Sequence, residues 1–319
     1  EAVKRLVAHD HDVTVIGRRP GFNIEGAAYK QCDIVDFARL TEVIEGMDTI
    51  VHLAAIPNPA LGTGEEIFLA NDTGTFNVYR AAANAGIRRI VSASSINALG
   101  YNFGIKRFRL QYFPMDEAHP SFTTDPYSFS KQIMEEIGTY FWRRESISSV
   151  FLRLPGVYEM TGDNAERIKG WRTRTMKMYG ELLAEPEAEQ SRIAQEIIEQ
   201  HTRLCAERAF EPRETRLNFR EIPHAGIMFG YSNFWASIDS RDSAQAIELG
   251  LLADYEGSHP LWVNDSHNSA GIPTQKLVEL FYPDVPLKRE LVGTESLVSI
   301  DKARELLGFK PEYSVSRWF

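Results

Sequence analysis

The amino-acid sequence predicts an α/β fold: a doubly wound parallel sheet followed by a smaller, mostly helical C-terminal lobe. Three observations carry that expectation. Short β-branched apolar runs recur at 13–16, 49–53, 89–93 and 149–153, the composition of strands buried on both faces of a parallel sheet. Helical stretches at about 36–45, 65–85 and 127–145 lie between them, and this alternation calls for right-handed crossovers. After Pro155 the texture changes to a long polar stretch almost free of Pro and Gly, which reads as an added lobe.

In chain order, residues 1–9 read as the end of an amphipathic helix and 27–31 as a weaker strand. The 49–56 stretch is long enough for a buried strand and its exit, well short of the ~20 apolar residues that cross a bilayer. From 163 to 210, Ile193, Ala194, Ile197 and Ile198 fall at helical spacing, predicting one or two long amphipathic helices over the sheet's edge. Residues 211–235 read as loop-rich, then come helix 241–253, strand 260–264, helix 274–281 and a closing helix 301–307 ended by Gly308. The expected division is 1–155 and 156–319, with parts of the second portion returning to the sheet at about 236–264.

The 319 residues are 43% hydrophobic and 25% charged, proportions that allow a sizeable core. With 35 basic against 44 acidic residues the net charge is −9, and no basic run interrupts the acidic surface. A nucleic acid or an anionic membrane would need clustered Lys and Arg, so small molecules and proteins remain as partners. The two cysteines, Cys32 and Cys205, are too few for a disulfide framework or a zinc site. The cytoplasm is the expected compartment, and no metal is expected.

Chemistry concentrates in a few places. In a helix, Tyr127 and Lys131 stand at i and i+4 on one face, and a nearby ammonium favours phenolate, turning a group of pKa ~10 into a usable acid or base. Taken alone, the spacing suits a solvated helix face better. Ser94 and Ser95 follow strand 89–93 directly, at the carboxyl end where doubly wound folds place ligands. Their hydroxyls either grip a substrate oxygen or close the strand by turn hydrogen bonds. His52 reads as a buried histidine without metal-ligand company. Asp116-Glu117 and the acidic residues at 185–189 read as solvated surface.

Seven blocks follow one another in a telling order: Val51-His52-Leu53-Ala54-Ala55, Asn71-Asp72-Thr73-Gly74-Thr75-x-Asn77, Ser94-Ser95, Tyr127-x-x-x-Lys131, Leu152-Arg153-Leu154-Pro155-Gly156-Val157-Tyr158, Asp239-Ser240-Arg241-Asp242-Ser243-Ala244 and Leu306-Leu307-Gly308-Phe309-x-Pro311. In these the chain resembles the extended short-chain dehydrogenase/reductases of the NAD(P)-dependent epimerase/dehydratase type, whose fold is Rossmann-like. The resemblance implies an NAD(P)-dependent oxidoreductase or epimerase acting on a hydroxyl or carbonyl of a sugar-like substrate. It implies that Tyr127 is the catalytic acid/base and that Lys131 lowers its pKa and holds the nicotinamide ribose. Ser95 would hydrogen-bond the reacting oxygen, and Asn71 would support Lys131 or the cofactor. Asp33 and Ile34 would contact the adenine, Leu53, Ala54 and Ala55 would pass along the cofactor's middle, and Pro155 and Val157 would flank the nicotinamide. Arg18 and Arg19 stand where an NAD-selective fold presents a carboxylate, so they lean toward NADP over NAD, unless they are a surface pair in a turn. Relatives pair through the helices equivalent to 65–85 and 127–145, which implies a homodimer.

Two departures qualify the resemblance. Nothing before Asp12 reads as the family's first strand and glycine-rich loop, and Gly62-Thr63-Gly64 reads as ordinary turn chemistry. The expectation is therefore a chain that starts about 15–20 residues inside the natural protein. In addition, Ser232-Asn233-Phe234-Trp235-Ala236-Ser237 lacks the arginine with which nucleotide-sugar enzymes hold a diphosphate. That favours a free sugar or uronate over the alternative of a nucleotide-sugar 4-epimerase or dehydratase. Asn97 and Trp235 are candidate substrate contacts, Trp235 either stacking on a sugar or packing in the core. Arg172, Arg174 and Lys177 either meet an anionic substrate or form a wet helix face. A rival class, a non-catalytic NAD(P)-binding sensor, has no need of the Ser95, Tyr127 and Lys131 set.

Overall fold

The computed structural model describes residues 1–21, 23–213 and 217–314. After α1 (Ala2–Ala8), β1 (Thr14–Gly17) pairs in parallel with β2 (Ala28–Gln31), and α2 (Phe37–Val43) leads to β3 (Ile50–His52). A helical rod follows, built from α3 (Gly64–Ile67), a π-helical turn at Phe68–Thr73, and α4 (Gly74–Asn84). Thr63 starts it with a capping box, accepting from the Glu66 amide while the Glu66 carboxylate accepts from Thr63. That capping is the role of the Gly62-Thr63-Gly64 stretch.

The central ladder is parallel throughout, in the order β3, β4 (Arg89–Ser95), β5 (Ser148–Leu154), β8 (Ser258–Trp262). Its interior carries Ile90, Val91, Val150, Phe151 and Leu152, all fully buried, because helices cover both faces. On one face α4 and α5 (Pro126–Glu145) bring Tyr79, Met134 and Phe141 onto Phe151. On the other, α9 (Ser240–Leu252) and α11 (Asp301–Leu307) bring Ile247 and Leu307 against Val91 and Val150. Register sets Ser94 opposite Arg153 and Ser95 opposite Leu154, so the carboxyl ends of β4 and β5 finish level.

Beyond β5, β6 (Gly156–Tyr158) pairs with β7 (Ser237–Asp239). The lobe consists of α6 (Gly162–Ala184), α7 (Glu187–Ala206), α8 (Ala225–Ser232) and α10 (Thr274–Phe281). An aromatic core of Tyr101, Phe113, Tyr179, Tyr231, Phe234, Trp235 and Tyr282 binds these helices to the segment after β4.

Three expectations are corrected. The stretch expected to be loop-rich contains α8, whose sequence Ala-Gly-Ile-Met-Phe-Gly-Tyr-Ser has no polar face for a helical pattern to show. Burial rather than propensity makes it helical: a Cβ on Gly226 would meet Thr175, and one on Gly230 would meet Trp235. Strand β8 begins two residues before the expected start, at Ser258 instead of Pro260. Glu117 is not solvated surface but accepts the Trp262 amide at the end of β8, at 2.7 Å.

Candidate active site

Asp125 caps α5 by accepting from the Ser128 amide at 2.9 Å, and Pro126 occupies the first helical position. This start places Tyr127 and Lys131 in the first turns of α5, beside the carboxyl end of β4. There a cleft of about 520 Å³ opens, lined by Ser95, Asn97, Tyr127, Lys131, Leu53, Ala55, Pro155 and Val157 together with aromatic residues of the lobe. The structure therefore brings together most of the residues singled out from the sequence. Ala54 is not among the cleft's lining residues.

Ser95 is the last residue of β4, and its Oγ accepts from the Asn97 amide at 3.1 Å and from Asn97 Nδ2 at 3.3 Å. The Tyr127 hydroxyl is buried, which pushes its pKa up to about 12 against the downward pull of a hydrogen bond with Ser95. Lys131 is its neighbour one helical turn on along α5. Its Nζ donates to the Ala93 carbonyl at 2.8 Å and stands 5.8 Å from the Tyr127 ring centroid. Burial brings the Lys131 ammonium down to about 8, while the carboxylates of Asp72 and Glu135 pull it upward.

Asn71 sits in the π-helical turn and is fully spoken for. Its Oδ1 accepts from the Ile56 amide at 2.7 Å, and its Nδ2 donates to the Ile56 carbonyl and to Ser130 Oγ. It thus anchors the 56 loop to α5 and does not bond Lys131. The group that faces Lys131 electrostatically is the next residue. Asp72 is 3% exposed, neither carboxylate oxygen has a hydrogen bond, and burial pushes its pKa up to about 7 against the pull of Lys131. Sequence reasoning missed it, although an acid inside the Asn71-x-x-Gly74-Thr75 block was the available signal. His52 is neutral, as burial lowers it to about 3, and its Nε2 shares a 2.9 Å hydrogen bond with Thr75.

Behind these groups lies a pair that the sequence did not single out. Glu135, one turn after Lys131, takes two hydrogen bonds from Arg153 of β5, at 2.9 and 2.7 Å, and a third from Ser94 Oγ at 2.7 Å. The Arg153 guanidinium also lies 4.9 Å from the Trp262 ring centroid. This buried fork ties the catalytic-helix candidate to the ends of β4 and β5.

At the far end, Arg18 and Arg19 are exposed after β1, and Tyr29 donates to the Gly17 carbonyl at 2.8 Å. Asp33 Oδ1 accepts from Val35 N, and Ile34 lies so close to Gly74 that a Cβ there would meet it at 2.4 Å. Trp235 is only 1% exposed, with its indole N–H on the Tyr179 hydroxyl, so packing claims most of its surface. Arg172 is buried and donates to the Ser269 carbonyl, while Lys177 pairs with Glu181 on the exposed face of α6. Among the described residues no group of His, Cys, Asp and Glu could hold a metal ion. The donor set suits the ribose and nicotinamide of a dinucleotide. A phenol and an ammonium can meet hydroxyls, and Leu53 and Val157, half exposed at 50% and 45%, offer apolar walls to a flat ring.

A parallel, doubly wound sheet with serine, tyrosine and lysine at its carboxyl edge defines a Rossmann-fold protein of the short-chain dehydrogenase/reductase type. The profile of the NAD dependent epimerase/dehydratase family matches residues 1–199, and the chain belongs to that family. It is 35% identical over 154 residues to an L-arabinose 1-dehydrogenase (NAD(P)(+)) of Haloferax volcanii, a match covering 46% of this chain and 59% of that protein. It is 30% identical over 123 residues to a uronate dehydrogenase of Pseudomonas putida, covering 39% and 42%. The chain thus spans about half the length of the curated relatives it matches. In fold it is similar to a short-chain dehydrogenase/reductase superfamily protein from Agrobacterium tumefaciens with bound NAD, with a TM-score of 0.62 at 20% identity over 99% of this chain and 90% of that one. It is also similar to UDP-glucose 4-epimerase of Thermotoga maritima, with a TM-score of 0.60 at 15% identity and the same coverage. No helix among the described residues is long and apolar enough to cross a membrane.

Proposed function

We propose that the protein is an NAD(P)-dependent oxidoreductase or epimerase that acts on a hydroxyl or carbonyl of a sugar-like substrate, a free sugar or uronate in preference to a nucleotide sugar. The observation that carries this reading is the convergence of Ser95, Tyr127 and Lys131 on one cleft at the carboxyl ends of β4 and β5. The named relatives, which oxidise arabinose and uronates, point the same way.

The bound dinucleotide supplies the acceptor or donor of hydride. Ser95 donates its hydroxyl proton to the reacting substrate oxygen and so fixes where that oxygen sits. Tyr127 takes the proton of a substrate hydroxyl, or returns it to a carbonyl oxygen. A phenol near 12 gives up its proton reluctantly, so the ammonium of Lys131 acts where a phenolate develops, stabilising it across the shared cleft. Lys131, Pro155 and Val157 hold the nicotinamide half, Leu53 and Ala55 pass along the cofactor's middle, and Asp33 and Ile34 stand at the adenine. Arg18 and Arg19, exposed and with no carboxylate beside them in the 17–21 turn, support NADP over NAD through a 2′-phosphate. Asn71 acts as a positioning residue through Ile56 and Ser130.

Two further features belong to this reading. The outer faces of the α3–α4 rod and α5 expose Leu69, Phe76, Phe129 and Tyr140, and we assign them as the contact of a homodimer. Two free, buried cysteines, Cys32 and Cys205, suit the reducing cytoplasm.

The test is spectrophotometric. Nicotinamide reduction is followed at a fixed concentration of NAD or NADP with free sugars, uronates and nucleotide sugars, for the wild type and for Tyr127→Phe. We expect reduction with a free sugar or uronate, and a fall of about 10²–10⁴ in kcat for the variant with dinucleotide affinity retained. A variant as fast as the wild type would remove Tyr127 from the chemistry and revive the sensor alternative.

A further inference from the structure

The substrate half of the cleft has a polarity of its own. Asn97 is 8% exposed, and its Nδ2 donates to Ser95 Oγ, which leaves Oδ1 as the amide's remaining acceptor. That oxygen is buried and has no hydrogen-bond partner. Asn102 is 4% exposed, and its Oδ1 is likewise buried without a partner. Both residues line the cleft. Two amide oxygens left unpaired in a buried wall are acceptors waiting for donors, because such groups are normally satisfied.

We propose that this half of the cleft is built for an uncharged, hydroxyl-rich sugar, whose hydroxyls donate to Asn97 Oδ1 and Asn102 Oδ1, and that it disfavours the corresponding uronate. The inference rests on the oxidoreductase reading above and narrows its substrate. A sugar's C6 hydroxyl placed against either oxygen can donate to it, whereas a uronate's C6 carboxylate placed there carries only acceptors and would set lone pair against lone pair. The charge of the lining agrees. Among the described residues that line the cleft, Lys131 is the only ionic side chain, and it sits at the reacting end with its ammonium on the Ala93 carbonyl. Arg172, which the sequence offered for an anion, does not line the cleft. It faces a smaller neighbouring cavity of about 30 Å³ that shares the wall of Tyr158, Trp171, Trp235 and Ser269, and it donates to the Ser269 carbonyl. The remaining walls include Phe103, Trp171 and Phe229, flat apolar faces suited to the C–H side of a sugar ring.

The experiment compares matched pairs, D-galactose with D-galacturonate and D-glucose with D-glucuronate, by kcat/KM with the preferred dinucleotide. Each is measured for the wild type, Asn102→Leu and Asn102→Asp, with thermal melting as the check on folding. The inference expects the neutral member of a pair to be favoured at least tenfold. It expects Asn102→Leu to lose at least tenfold in kcat/KM for that sugar, mainly through KM, with dinucleotide affinity unchanged. Asn102→Asp keeps the shape and the acceptors, so it should retain the neutral sugar and reject the uronate further. A uronate preferred by the wild type, or accelerated by Asn102→Asp, overturns this inference and leaves the oxidoreductase reading standing. Silence toward both members of every pair, with dinucleotide binding intact, overturns this inference, while the oxidoreductase reading stands or falls on the wider sugar panel and on Tyr127→Phe.

Discussion

Lys131 lies in the field of two carboxylates, and their balance against burial sets when its charge is present. Burial favours the neutral amine, while Asp72 and then Glu135 favour the ammonium. Replacing Asp72 by Asn keeps the shape and removes the larger of the two upward pulls. Lys131 should then give up its proton at a lower pH, so the alkaline limb of the kcat/KM profile should move down by about one pH unit. The profile measured across pH 5 to 10 checks this, and an unmoved limb would separate Asp72 from the chemistry. Glu135→Gln should act in the same direction but at a structural cost. It leaves the buried Arg153 guanidinium without its carboxylate, a loss of about 3–5 kcal/mol that urea unfolding would register. That Ser95, Tyr127 and Lys131 would share one cleft was legible from the order of the blocks that carry the family resemblance. Asp72 was not, since an acid in a helix reads as solvent-facing. The π-helical turn at Phe68–Thr73 adds one residue, which rotates the following side chains by about 100° relative to regular α spacing.

At the level of elements, the site depends on how closely α5 lies on the sheet. A Cβ added at Gly138 would stand 2.1 Å from Phe151 Cζ and 2.4 Å from Cε2, and that ring is fully buried, with no flexible end to yield. Gly138→Ala should therefore push α5 outward and destabilise the fold by about 1–3 kcal/mol, seen as a lower urea midpoint. Because the same helix carries Tyr127 and Lys131, kcat/KM should fall together with stability. A variant with unchanged midpoint and rate would show that α5 is free to shift. The strands of the central ladder were readable because β-branched runs buried on both faces leave a plain pattern, and α5 was readable at 127–145, one residue short of its start at Pro126. Helix α8 was not, because a helix apolar all round with two glycines has neither a 3.6-residue rhythm nor favourable propensity. Its existence depends on Thr175, Tyr179 and Trp235, contributed by chain before and after it. The Glu117 contact with the Trp262 amide was unreadable for the same reason, as it joins residues 145 positions apart.

At the scale of the whole molecule, the exposed apolar side chains are unevenly spread. Leu69 and Phe76 line the outer face of the α3–α4 rod, and Phe129 and Tyr140, 11 positions apart and so about three turns along one face, line α5. Phe76 and Tyr140 stack across the two helices with ring centroids 6.3 Å apart and an interplanar angle of 28°, making one continuous surface. Contiguous apolar surface of this kind marks an interface, and a two-helix face can meet its own copy about a two-fold axis, each residue used twice. A charge placed there is therefore buried twice in the dimer and hydrated in the monomer. Sedimentation velocity at micromolar concentration should give a mass near twice the 36.2 kDa of the chain. Leu69→Glu should shift the population to monomer with the melting little changed, since that side chain is 53% exposed, whereas Phe76→Glu should do so and also lower the melting temperature, because its ring packs edge-on against Phe141. A wild type that sediments as a monomer at those concentrations would remove the homodimer and leave this face to a different protein.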